Sequence, residues 1–185
     1  MRKLLNEELD RLSIEAFKES GKIPVTVVLD NVRSLNNIGS VFRTADAFRL
    51  EEIVLCGITA TPPHREIHKT ALGATESVKW VYHKDTKSAV NGLKEKGYII
   101  LAVEQAEGAV TLESLTLSSQ KKYALIFGHE IRGVDQEVIN LSDHCVEIPQ
   151  FGTKHSLNIS VAAGIVIWEI FKQLSLHLRS PGLQE

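Results

Sequence analysis

Apolar and polar positions follow two rhythms along this chain. From Val25 onward, short runs rich in β-branched residues alternate with longer stretches of helical spacing. The runs predict strands at Val25–Asp30, Glu52–Gly57, Val78–His83, Tyr98–Glu104, Tyr123–Gly128 and His144–Pro149. Several are almost continuously apolar, as in VTVVL, YIILAV and YALIF. A strand with one wet face alternates, whereas a strand buried on both faces does not, so these runs indicate a parallel sheet sandwiched between helices. The intervening periodicity predicts helices at Ile38–Phe48, Glu66–Leu72, Thr86–Lys96, Val134–Leu141 and Leu157–Leu178. Ahead of the first strand, Leu4, Leu5, Leu9, Leu12 and Phe17 recur among charged residues, which predicts a helix over 2–20 that Gly21 and Pro24 end. The expected architecture is a single α/β domain, 25–178, with a mostly parallel sheet covered by helices. A helical extension, 1–24, precedes it and a short tail, 179–185, follows.

The last predicted helix is apolar on nearly every side, through Ile159, Val161, Ala162, Ile165, Val166, Ile167, Trp168 and Ile170. Such a helix must be covered all round. Either it runs through the centre of a monomer, or one side packs on the sheet and the other on a second copy; a homodimer is the expectation.

Composition narrows the class. A chain of 185 residues that is 43% hydrophobic is one ordinary globular domain, and it is too apolar for disorder to be its main state. With 12 Gly, 5 Pro and 2 Cys it is neither collagen-like nor a disulfide scaffold. The charged N-terminus has no signal-peptide core, and the apolar stretch Ile159–Phe171 is too short to span a bilayer. Lone Cys56 and Cys145 fit a reducing compartment, so a cytoplasmic protein is expected, with no membrane association. The formal charge of −2 lacks the global basicity of a non-specific nucleic-acid binder, so any such ligand would need a local patch.

Open α/β sheets bind ligands outside the carboxyl ends of their strands. Three of the predicted loops there are rich in polar residues and glycine. The first, Asp30–Gly39, leads into a helix carrying Arg43 and Thr44. It has neither a dinucleotide-binding glycine fingerprint nor a P-loop. Asn36 or Asn37 reads as an N-cap or as a ligand-facing amide. Six residues on one helix amount to about 240° of rotation, so Asn37 and Arg43 converge only if Asn37 precedes the helix. Arg43 stands among apolar neighbours and calls for a carboxylate or phosphate. The second loop sets Glu130 between Gly128 and Gly133, and the third runs from Pro149 to Asn158, with Ser156 a natural N-cap. A fourth, basic loop holds His64, Arg65, His68 and Lys69. Its two histidines have i, i+4 spacing but lack a third ligand, so no metal is expected and phosphate contact is the better use. Cys145 reads as a core residue.

Taken in order, the three loops resemble the motifs of the SpoU (TrmH-like) family of RNA 2′-O-ribose methyltransferases, within the SPOUT superfamily. The matching residues are Asn37-IGSVF-Arg43-Thr44, then Gly128-His129-Glu130-Ile131-Arg132-Gly133, then Ile148-Pro149 with Gly152 and Ser156-Leu157-Asn158-Ile159-Ser160. Gln150 departs from the family's usual apolar residue beside the cofactor loop. The resemblance implies a C-terminal trefoil knot, S-adenosylmethionine as cofactor, and a homodimer with shared sites. Carried over by position, Gly128, Ile148 and Leu157 contact the cofactor, while Arg43, Asn37, Glu130, Ser156 and Asn158 form the catalytic set. The implied reaction is in-line transfer of a methyl group to a ribose 2′-hydroxyl. A guanidinium does not readily lose its proton in proteins, so Arg43 is expected to clamp a phosphate and steady the developing alkoxide rather than act as a base. The expected substrate is a structured RNA, transfer RNA ahead of ribosomal RNA. The competing reading is an RNA-binding or assembly protein on the same fold without catalysis.

Overall fold

A computed structural model describes residues 1–175; the predicted end of the last helix at Leu178 and the tail 179–185 lie outside them. The elements in chain order are α1 (Ile14–Glu19), β1 (Ile23–Asp30), α2 (Leu35–Ala47), β2 (Leu50–Cys56), α3 (Arg65–Ala71), α4 (Ala74–Ser77) and β3 (Trp80–His83). They continue with α5 (Thr86–Glu95), β4 (Tyr98–Val103), β5 (Val110–Thr111), β6 (Lys122–Phe127), α6 (Gln136–Leu141), β7 (His144–Glu147) and α7 (Ile159–Leu174).

The sheet runs β3-β2-β1-β6-β4-β7-β5, and every neighbouring pair is parallel. Alternate residues of the continuous apolar runs enter different cores. Val25, Val27 and Leu29 join Leu125 and Phe127 against α2, α3 and α7. Val28, Ala124 and Ile126 join Ile100 and Ala102 against Val90 and Leu93 of α5 and Val138 of α6. Both faces are dry, which is why the strands read as unbroken hydrophobic runs. No described helix is long and apolar enough to cross a membrane.

The structure departs from the sequence expectation in several places. Helix α2 begins three residues early, at Leu35, and α4 is unexpected. The N-terminal helix contracts to α1 and a short 3-10 turn, Asn6–Glu8. Asp10 takes a positive φ of 48° between them, and Ser13 caps α1 afresh. Leu4, Leu5 and Leu12 stay exposed, so the amphipathic stripe has no apolar surface here to repay helix formation. Strand β5 is a two-residue strand at the sheet edge, too short to leave a pattern. Helix α6 begins at Gln136, two residues later than expected, with Asp135 as its cap. Finally, α7 is not covered all round: Val161, Ile165 and Trp168 are 50%, 39% and 48% exposed and fall on one face.

Candidate active site

The carboxyl ends of β1, β4, β6 and β7 converge on one edge of the sheet, where polar side chains pin their loops together. Asp30, buried at the end of β1, accepts from Thr86 Oγ1 (2.6 Å), Asn31 Nδ2 (2.9 Å) and the amide of Asp135 (3.2 Å). Thr59 Oγ1 accepts from the Val32 amide at 2.9 Å and donates to the Leu29 carbonyl at 3.0 Å. These contacts hold the entry to α2 rigidly against the sheet.

The N-cap of α2 is Ser34, whose side chain accepts from the Asn37 amide, so neither Asn36 nor Asn37 is the cap. Asn37 instead lies inside the first turn, buried, with its side chain engaged. Glu130 Oε1 accepts from the Ser34 amide (2.8 Å) and from Asn37 Nδ2 (3.1 Å), and Oε2 accepts from the Arg33 amide (3.0 Å). Asn158 Nδ2 donates to Asn37 Oδ1 at 3.1 Å, and Asn158 Oδ1 accepts from the Ser160 amide at 2.9 Å. The direction of this chain is dictated chemically. An ionised carboxylate only accepts, so Asn37 turns its NH2 toward Glu130 and leaves its oxygen for Asn158. Asn158 then has its own oxygen free to cap α7, the role the sequence suggested for Ser156. Burial pushes the Glu130 carboxyl upward, but the amides of Arg33 and Ser34, with Asn37, outweigh it and hold the group below its usual range. Its charge also faces the amide end of α2, a favourable placement.

Beside this chain opens a cleft of about 480 Å³, bounded by the loops after β4, β6 and β7. Gly128, Ile148 and Leu157 line it, as do Glu130, Ser156, Asn158 and the departing residue Gln150. Gly128 is required by a close crossing: a Cβ there would fall 2.1 Å from the Gly133 carbonyl carbon and 2.2 Å from the Val134 nitrogen. Arg43 is not part of the cleft wall. Because Asn37 lies within α2, the rotation along the helix carries Arg43 to the solvent face with Asn36, Ser40 and Ala47. Arg43 is exposed and joins no ion pair among the described residues. Burial pushes the Cys56 thiol up to about 12 and raises that of Cys145, so neither is a ready nucleophile.

Sequence reasoning passed over two further cleft residues. Glu104, just past β4, accepts from the Val134 amide (2.9 Å) and the Gln105 amide (2.9 Å). Gln105 Nε2 donates to the His155 carbonyl at 2.9 Å, tying the loop after β4 to the loop after β7. The only sequence signal for them was a carboxylate and an amide at the end of an apolar strand.

The shape and residues of this site have known counterparts. The SpoU rRNA Methylase family model matches residues 24–168. The tRNA (guanosine(18)-2′-O)-methyltransferase of Thermus thermophilus is 33% identical over 169 residues, covering 90% of this chain and 84% of its own. The 23S rRNA (guanosine-2′-O-)-methyltransferase RlmB of Nitrosomonas europaea is 34% identical over 149 residues, 80% of this chain and 56% of its own. Among solved structures, the AdoMet-bound rRNA methyltransferase of Sinorhizobium meliloti superposes with a TM-score of 0.75 at 28% identity, over 92% of this chain and 62% of its own. With all three motif loops gathered at one sheet edge and the family model spanning the sheet, the chain belongs to the SpoU rRNA Methylase family.

Proposed function

We propose that this chain methylates the ribose 2′-hydroxyl of a structured RNA, with transfer RNA as its substrate. Membership of the family makes it an S-adenosylmethionine-dependent RNA 2′-O-ribose methyltransferase. The observation that carries the reading is the hydrogen-bond chain Glu130–Asn37–Asn158, which joins the three motif loops at the lip of one cleft. Transfer RNA is preferred because the Thermus relative matches over most of both chains, whereas the ribosomal relative extends well beyond the match. A cytoplasmic location belongs to the same reading.

The cleft suits the cofactor. Its volume lies within the roughly 300–1,000 Å³ of small-molecule sites, and the close crossing of Gly128 over the Gly133–Val134 backbone fixes the shape of its wall. When bound, S-adenosylmethionine supplies a methyl group on a positively charged sulfonium. Gly128, Ile148 and Leu157 would hold it. Glu130, Asn37 and Asn158 act by orientation: they lock the loops after β6 and β7 to the start of α2, so the cleft keeps its shape when RNA arrives. Ser156 stands in the cleft to orient the ribose. Arg43 clamps the phosphate beside the target ribose and steadies charge growing on its oxygen.

That role requires Arg43 to reach a cleft it does not line. A second copy packed on the exposed α7 face resolves this, because α7 packs against α2 and covering one helix brings a partner close to the other. The Arg43 of one subunit would then serve the cleft of its partner. The trefoil knot is part of the same proposal. The loops after β6 and β7 would form it, and they lie together with the loop after β4 around the first cleft.

The test is incubation of the purified protein with isotopically labelled S-adenosylmethionine and unmodified transfer or ribosomal RNA, followed by nucleoside mass spectrometry. Labelled 2′-O-methylnucleosides from transfer RNA are expected. Label confined to ribosomal RNA would overturn the substrate, and label on bases would overturn the reaction.

A further inference from the structure

A second cleft, of about 470 Å³, lies between α3, α4 and β3, away from the motif residues. Its apolar walls are Pro62, Pro63 and the half-buried indole of Trp80, backed by the buried Ile67. Its polar groups are His64, Arg65, His68, Thr75 and Glu76. We propose that this cleft takes an unpaired nucleobase of the RNA substrate, stacked on Trp80. The proposal rests on the RNA reading above.

The residues favour a base over the phosphate that the sequence suggested for this loop. Glu76 puts a carboxylate in the lining, and a phosphate beside it would meet like charge. A base is uncharged, presents two apolar faces, and carries both donors and acceptors on its edge. Glu76 can accept from a base N–H. His64 Nδ1 accepts from the Glu66 amide at 3.2 Å, so the neutral ring carries its proton on Nε2 and can donate to a base acceptor. The phosphate next to such a base has its own partner. Lys69 takes up Glu66 at 2.8 Å, while Arg65 is exposed and joins no ion pair among the described residues. Aromatic faces with nearby cations are how proteins hold splayed RNA nucleotides.

The location suits a nucleotide near the target. Helix α3 is pressed against α2 at Gly39, where a Cβ would fall 2.1 Å from Thr70 Oγ1 and 2.3 Å from the Ile67 carbonyl oxygen. The cleft therefore lies one helix away from the element that carries Asn37 and Arg43.

Trp80 and Trp168 are the chain's two tryptophans, so Trp168→Phe leaves Trp80 as the sole indole reporter. Its emission is followed while an RNA substrate is added, with binding measured in parallel by anisotropy of labelled RNA. Quenching with the same midpoint as the anisotropy is expected. Trp80→Ala should weaken RNA binding roughly 5- to 100-fold, Trp80→Phe should restore most of it, and S-adenosylmethionine affinity should stay unchanged in both. Anisotropic binding with unaltered Trp80 emission would overturn the proposal while leaving the methyltransferase reading intact. Emission that changes on diluting the protein alone would assign the cleft to a second copy and overturn it too. A chain that binds no RNA would overturn both readings.

Discussion

Glu130 receives three hydrogen bonds from the start of α2, and reversing the polarity of one of them exposes how the chain works. Asn37→Asp replaces a donor with a second carboxylate facing Glu130. The lost charge-assisted bond alone corresponds to about 1.5–3 kcal/mol, and like-charge repulsion adds to it. The variant should unfold at lower urea than wild type at pH 7. Adding Glu130→Gln should recover part of the loss, because the glutamine amide can donate to Asp. Failure of the pair to recover would show that the contact is incidental. Acid should reveal the same group. The folded Glu130 carboxyl ionises below its usual range, so its contribution is full above the ordinary value of about 4.3 and disappears as pH falls through the lower, folded value. Urea midpoints measured from pH 6 to pH 3 should fall more steeply in wild type than in Glu130→Gln. For Arg43, Arg43→Ala should cost about 10²–10³ in single-turnover methylation, and Arg43→Lys nearly as much, since an ammonium lacks the planar fork. Calorimetric affinity for S-adenosylmethionine should hold, because the residues assigned to hold the cofactor, Gly128, Ile148 and Leu157, belong to other loops. A lysine variant of near-normal rate would remove the guanidinium from the mechanism.

Among the elements, the loop after β6 carries the tightest constraint. A methyl group at position 128 would overlap the Gly133 and Val134 backbone, which cannot swing aside like a flexible side chain. Gly128→Ala should therefore lower the thermal midpoint, with overpacking of this kind costing about 1–3 kcal/mol, and should weaken cofactor binding in the same loop. Unchanged calorimetric affinity in a folded variant would mean that the crossing is looser than the backbone suggests. The caps show what local patterns miss. Ser34 and Asn158 cap α2 and α7, and in each case the sequence offered an equally good polar neighbour. The choice went to whichever side chain left the Glu130–Asn37–Asn158 chain complete. Strand β5 exists because β7 offers it an edge, not through any preference in Val110 and Thr111.

For the molecule as a whole, the exposed α7 stripe decides whether one chain is a complete enzyme. Phe48, Trp168 and Phe171 form an aromatic cluster beside it, with ring centroids 5.0–5.9 Å apart. Ile165 borders water in the single chain, so Ile165→Asp should leave a folded protein but break a dimer. Sedimentation should show a dimer for wild type and a monomer for the variant, and methylation should be lost with the dimer. A wild-type monomer that methylates RNA at micromolar concentration would end the shared-site picture.

The amino-acid order by itself determined the layers. Continuous β-branched runs demand burial on both faces, and the helical spacing between them supplies the cover, so a parallel sheet between helices was legible from VTVVL, YIILAV and YALIF alone. The motif residues were also legible, as types at set spacings. Three-dimensional packing decided which of them meet. Asn37, Glu130 and Asn158 are far apart along the chain and touch only because β1 and β6 are neighbours in the sheet while α7 folds back against α2. Arg43 left that group because helical rotation is local and unforgiving, whereas contact between distant loops depends on strand order. The open face of α7 became visible only once the sheet had used the other side. Hydrophobicity states that a surface must be buried, but not by what.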